Sequence, residues 1–157
     1  MALIEFVLVN GKVFDHSSVL LHIAGEKVVG FKSIKYGHKR TRGKVTVGGR
    51  NRAPRAFTRG TYEADDVTIS LLRDSARALR DRLAQKSGST TSYGEGKFPI
   101  VCQQVEAGLP PIVDSFPTCT IMSDGGGTDD NADPHYEDVV FQVLHLKRNG
   151  KTLHTTR

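Results

Sequence analysis

The chain contains no tryptophan, only two cysteines, and no long uncharged apolar run. Each shortage excludes a class. Cys102 and Cys119 are too few for a disulfide framework and lack the paired spacing of a zinc site. They read instead as small buried or half-buried apolar side chains. No stretch approaches the roughly 20 apolar residues that cross a bilayer as a helix, so no membrane anchor is expected. The start, Met-Ala-Leu-Ile-Glu-Phe-Val-Leu-Val, lacks a basic n-region and meets an acid at Glu5. A signal peptide is therefore not expected, and the cytosol is the expected place of synthesis. Enzyme signatures are missing as well: there is no Gly-x-x-x-x-Gly-Lys-Ser/Thr, no His-Glu-x-x-His and no Gly-x-Ser-x-Gly. The histidines, His16, His22, His38, His135, His145 and His154, are scattered, and they offer no ligand spacing. Neither a catalytic constellation nor a metal or other cofactor is expected.

What the chain does contain is glycine, 16 residues of it, and charge of both signs in separate places. With 157 residues and 38% hydrophobic content, the chain reads as one domain over residues 1–157. A domain of this size buries about 70% of its unfolded surface. The formal charge of +5 conceals two blocks. Lys32, Lys35, Lys39, Arg40, Arg42, Lys44, Arg50, Arg52, Arg55 and Arg59 follow one another with no acid between them. Asp124, Asp129, Asp130, Asp133, Glu137 and Asp138 do the same with no Lys or Arg.

Branched residues at 3–9, closed by Asn10-Gly11, predict a strand and a turn. Residues 19–24 and 28–36 predict two more strands. The basic stretch 37–60 holds Gly43, Gly48, Gly49, Pro54 and Gly60 and is expected to be partly loop, with a strand possible at residues 44–47. A structureless loop of that length is uncommon in a compact domain unless it has a function. Period-two alternation through Val67, Ile69 and Leu71 predicts a half-buried strand. At Leu72 the period changes, and Leu72, Ala76, Leu79 and Leu83 form one stripe of an amphipathic helix ending near Lys86, before Ser87-Gly88. Asp74 with Arg77 and Arg77 with Asp81 have the spacing of supporting helical pairs. Further strands are predicted at residues 98–105, at 118–123 after Pro117, and at 139–146. The fold class expected is mainly β, an antiparallel sandwich or barrel with one flanking helix over about residues 72–86 and long assembly loops.

The charged blocks admit three readings. The acidic stretch offers oxygens to a hard cation, but it fails the Asp-x-Asp/Asn-x-Asp/Asn-Gly pattern and lacks the closing Glu. The basic block can neutralise phosphates, although Phe31, Tyr36, Phe57 and Tyr62 are not interleaved as a base-stacking platform requires. Contact between copies of the chain uses both blocks at once, as a heterologous interface that closes into rings.

Residues Val29-Gly30-Phe31-Lys32-Ser33-Ile34-Lys35-Tyr36, then Gly48-Gly49-Arg50-Asn51-Arg52-Ala53-Pro54 and Thr58-Arg59-Gly60-Thr61-Tyr62-Glu63-Ala64, resemble bacteriophage tail tube proteins of the contractile type. The resemblance continues through residues 67–84, Val113 and Asp114, Cys119-Thr120-Ile121-Met122-Ser123-Asp124, and residues 139–146. The dense arginine and lysine content between Arg40 and Arg55 departs from the family pattern. The resemblance implies a structural virion protein related to the tubes of type VI secretion and of contractile bacteriocins. Hexameric rings would stack into a conduit for DNA ejection. Its partners would be further copies of itself, tail sheath and baseplate proteins, and the tape measure protein and genomic DNA in the lumen. The place implied is the virion tail, assembled in the host bacterial cytoplasm. Arg40, Arg42, Arg50, Arg52, Arg55 and Arg59 are then candidates for contacts with Asp124, Asp129, Asp130 and Asp133 of a neighbouring subunit or ring. The alternatives are a baseplate or tail-terminator ring of the same fold, or a basic nucleic-acid-binding module.

Overall fold

The computed structural model describes residues 19–49, 53–88, 91–105, 109–127 and 134–153. The strand expected at residues 3–9 lies outside them. β1 (Val19–Ile23), β2 (Glu26–Val28) and β3 (Phe31–Lys35) come first, followed by β4 (His38–Thr41), β5 (Lys44–Thr46), β6 (Pro54–Phe57) and β7 (Thr61–Ala64). β8 (Val67–Leu72) runs into the helix α1 (Arg73–Lys86), and β9 (Phe98–Gln104), β10 (Ile112–Asp124) and β11 (Tyr136–Val143) complete the large strands. A small hairpin, β12 (Lys147–Arg148) and β13 (Lys151–Thr152), closes the described chain. The expected mainly β, antiparallel architecture with one helix is what the structure has.

Seven strands form the main sheet in the order β2-β1-β9-β10-β11-β8-β3, with β12 and β13 attached beside β10. Cross-strand partners share a face, and the buried ones line up: Leu21 opposite Cys102, Ile23 opposite Ile100, Phe116 opposite Ile100, Val139 opposite Ile69, and Phe141 opposite Val67. One face of the sheet thus carries the core, and Ala76, Leu79 and Leu83 of α1 join the same cluster. Such a one-sided sheet buries its apolar face by curling over it and by accepting a helix as cover.

The helix begins without a side-chain cap; Leu72 ends β8, and its N–H donates to the Gly30 carbonyl. Leu72 therefore belongs to the strand, and the buried helical stripe starts at Ala76. Among the described residues the helix finds its ionic partners on the strands rather than along itself: Arg73 and Arg80 on Glu137, Arg80 also on Asp124, and Arg82 on Glu26.

Three expectations are refined. The single strand predicted over 28–36 is two, separated by a turn at Gly30, whose φ is +76°. β10 does not begin after Pro117 but passes through it, and its register to β9 shifts between Phe116 and Cys119. A proline that donates no ladder hydrogen bond is tolerated at such an irregularity. The final strand stops at Val143, and β12 and β13 follow, joined by Asn149-Gly150 with positive φ at both residues, the arrangement of a type I′ turn. Cys102 and Cys119 are both free thiols and buried.

Candidate functional site

The described residues between 37 and 65 leave the main sheet as a two-stranded arm. β4 pairs with β7 and β5 with β6, each as a separate two-stranded ladder. The ladders are linked where the Thr58 N–H donates to the Gly43 carbonyl at 2.8 Å and the Gly43 N–H donates to Thr58 Oγ1 at 2.7 Å. At the base the Asp65 N–H donates to the Gly37 carbonyl at 2.9 Å. At about 3.3 Å per strand residue, the stretch from residue 38 to 46 reaches up to roughly 30 Å. Gly60 makes the local kink: its φ is +75°, and a Cβ there would stand 1.9 Å from the Thr41 carbonyl oxygen. No side chain fits at that position.

All described residues from 41 to 61 are exposed. A two-stranded ribbon with neither face covered is marginal in water, and this one also displays Val45, Val47 and Phe57, which are 43%, 51% and 67% exposed. Its described cations are Lys39, Arg40, Arg42, Lys44, Arg55 and Arg59, against the acids Glu63 and Asp65. Lys39 lies 3.5 Å from Glu63, an exposed pair. Such a pair contributes at most about 1 kcal/mol. Arg40 Nε donates to the Arg59 carbonyl at 2.7 Å, which braces the two strands beside Gly60. Arg42, Arg55 and Arg59 are exposed, and Arg40 is half-buried.

Arg50, Arg52, Asp129, Asp130 and Asp133 lie outside the described residues. Asp124, the remaining acidic candidate, is engaged within its own chain. Its Oδ2 accepts from Arg80 at 3.0 Å and from the Tyr93 hydroxyl at 3.1 Å. Arg80 reaches Glu137 at 3.0 Å as well, and Arg73 holds the other Glu137 oxygen at 3.2 Å. Asp124, then Glu137, holds the Arg80 guanidinium more firmly protonated than usual, against the opposing effect of burial. Burial first, then the bond to Asp124, raises the Tyr93 phenol. Asp124 at the beginning of the acidic block and Glu137 near its end thereby fasten α1 to β10 and β11. Spacing along the chain carries no sign of this, because Arg80 lies 44 residues from Asp124 and 57 from Glu137.

A second set of polar contacts, unread in the sequence, sits where the arm joins the body. Tyr36 donates to the buried Asp114, whose other oxygen accepts from Arg148 Nε at 3.2 Å. The Tyr62 hydroxyl accepts from the Leu146 N–H at 2.9 Å and stands 3.1 Å from His38 Nδ1. The one cue in the sequence is a tyrosine on each side of the basic stretch. What the arrangement offers chemically is binding: an extended cationic ribbon with apolar side chains beside the main sheet.

No protein-family model matches this sequence, and comparison with curated proteins finds no relative. Among solved structures the likeness is clear. The tube-terminating cap of the anti-feeding prophage superposes with a TM-score of 0.61 at 12% identity, covering 97% of this chain and 99% of that one. The sheath-tube complex of the PVC extracellular contractile injection system gives 0.60 at 11%, over 94% and 96%. Hcp1 from Flavobacterium johnsoniae gives 0.56 at 10%, over 87% and 98%. The chain thus has the tube-protein fold of contractile injection systems, as the sequence resemblance implied.

Proposed function

We propose that this protein is a structural subunit of a contractile-tail-type tube, polymerising as stacked hexameric rings, and that the arm is its main assembly element. The observation that carries this reading is the ribbon, whose described residues from 41 to 61 are all exposed and include the apolar Val45, Val47 and Phe57. A neighbouring subunit that covers it would complete its strands and bury Val45, Val47 and Phe57. Closing a ring in this way also removes sheet edges that otherwise invite aggregation. The cations Arg40, Arg42, Arg50, Arg52, Arg55 and Arg59 would face acids of the next copy at Asp129, Asp130 and Asp133. Asp124 would fix where that acidic stretch leaves β10. In a phage setting the lumen would hold tape measure protein and then DNA on its way into the host, with sheath and baseplate as outer partners and assembly in the host bacterial cytoplasm.

Negative-stain microscopy of concentrated protein, alone and with baseplate, tests the proposal. Rings or tubes are expected from the wild type, and Phe57→Ser is expected to leave monomers of unchanged melting temperature. Monomers at every salt and concentration, with baseplate present, would refute it.

A second reading, a terminator ring present in few copies per particle, draws support from the anti-feeding prophage cap, which superposes over nearly the whole chain. Counting copies per particle separates the two. A nucleic-acid-binding module predicts duplex retention that falls steeply with salt, and filter binding decides that case.

A further inference from the structure

Tyr36 immediately precedes the first residue of the arm, and Tyr62 lies in β7 on its returning strand. Both phenols turn toward the same end of the main sheet. Tyr36 packs edge-on against Phe116, with ring centroids 5.2 Å apart at 82°, and its hydroxyl donates to Asp114. Asp114 is 3% exposed and pairs across the ladder with Arg148, which also holds its Oδ1. The turn of the terminal hairpin is pinned in its turn: Asn149 Oδ1 accepts from the Val113 N–H at 2.8 Å, and the Asn149 N–H donates to the Val113 carbonyl at 2.7 Å. Just before that hairpin, the buried Leu146 N–H donates to Tyr62.

Resting on the reading of the arm as the assembly element, we propose that Asp114 is its positioning residue. Through Tyr36 and Arg148 it ties the arm root to the β12–β13 hairpin, so that the hairpin sets the angle at which the arm leaves the body. The lever is long. With a reach of roughly 30 Å, a rotation of about 10° at the root moves the tip by about 5 Å, one strand spacing, enough to miss a neighbour's sheet edge. A buried carboxyl group is costly to leave without its donor, and two tethers, Tyr36 just before the arm and Tyr62 on its returning strand, resist both swing and twist. Burial, and then the bond to Asp114, raises the Tyr36 phenol, which keeps it a donor.

The test uses the full chain as a dilute monomer, spin-labelled at Val47→Cys near the arm tip and Arg77→Cys on the exposed face of α1; the native thiols are buried. A narrow distance distribution is expected for the parent. Tyr36→Phe, Tyr62→Phe and Asp114→Asn are expected to broaden it and to speed amide exchange at the arm root on the order of tenfold or more. Ile23→Val, a buried change on β1 two strands from Asp114 and β10, is expected to leave the distribution narrow. Tyr36→Phe removes a single oxygen, so the test survives if Asp114→Asn fails to fold. An unchanged distribution in Tyr36→Phe, or equal broadening in Ile23→Val, would overturn the assignment. If the tyrosine variants broaden the distribution yet build tubes at the parental rate, the positioning role stands and the arm's part in assembly falls.

Discussion

Replacing Arg80 by Met tests how the helix is held to the sheet. The guanidinium stands 3.0 Å from Asp124 and 3.0 Å from Glu137, whose side chains are only 13% and 5% exposed. Methionine keeps the apolar stem and removes the charge, leaving two carboxylates largely out of water. Breaking a fully buried pair costs about 3–5 kcal/mol. Here each acid keeps one donor, Tyr93 for Asp124 and Arg73 for Glu137, and Arg80 is itself partly exposed, so the lower end applies, about 3 kcal/mol. For a chain of this size each kcal/mol shifts the melting temperature by about 2–4 °C, so a fall of roughly 6–12 °C is expected in calorimetry. Urea titration should show the midpoint moving at constant slope. The double variant with Asp124→Asn should lose less than the sum of the single losses, because one stranded charge is gone. A single-variant loss within about 0.5 kcal/mol of the parent, the range of ordinary surface changes, would refute the view that these acids depend on Arg80.

Two further outcomes are expected. Gly60→Ala should fray the arm and not the body, since a Cβ would stand 1.9 Å from the Thr41 carbonyl oxygen; fast amide exchange confined to residues 41–61, with little change in the main transition, would show it. Cys119 should resist alkylation in the folded protein, because burial pushes its thiol up to about 12 from 9.0. The same shift makes stability fall as pH rises from 9 toward 12, since only the unfolded chain ionises there. Cys119→Ala should flatten that part of the profile, and an unchanged alkaline slope in calorimetric melts would count against the assignment.

Much of the body was legible because its signals are local. The alternation at Val67, Ile69 and Leu71 and the stripe at Ala76, Leu79 and Leu83 survive in the structure as buried faces, since periodicity states directly which side chains leave water. The misplaced boundaries have local causes too. Pro117 looked like the start of a strand because the sequence does not show that the register slips there. Asn149-Gly150 is as strong a turn signal as Asn10-Gly11, but the strands it joins are two residues long and carry no alternation to find.

By itself, the sequence determined an antiparallel β body with one helix, a cationic segment too long for an idle loop, and an acidic one to match; these follow from composition and period, which are properties of neighbours in the chain. Only the tertiary structure decided that the described residues of the cationic segment from 41 to 59 are exposed, that Asp124 and Glu137 are taken by Arg80 and Arg73, and that Tyr36 reaches Asp114 and Tyr62 reaches Leu146. Those pairings join residues separated by 44 to 84 positions. Desolvation and geometry in the folded sheet select such partners, and no spacing along the chain encodes the choice.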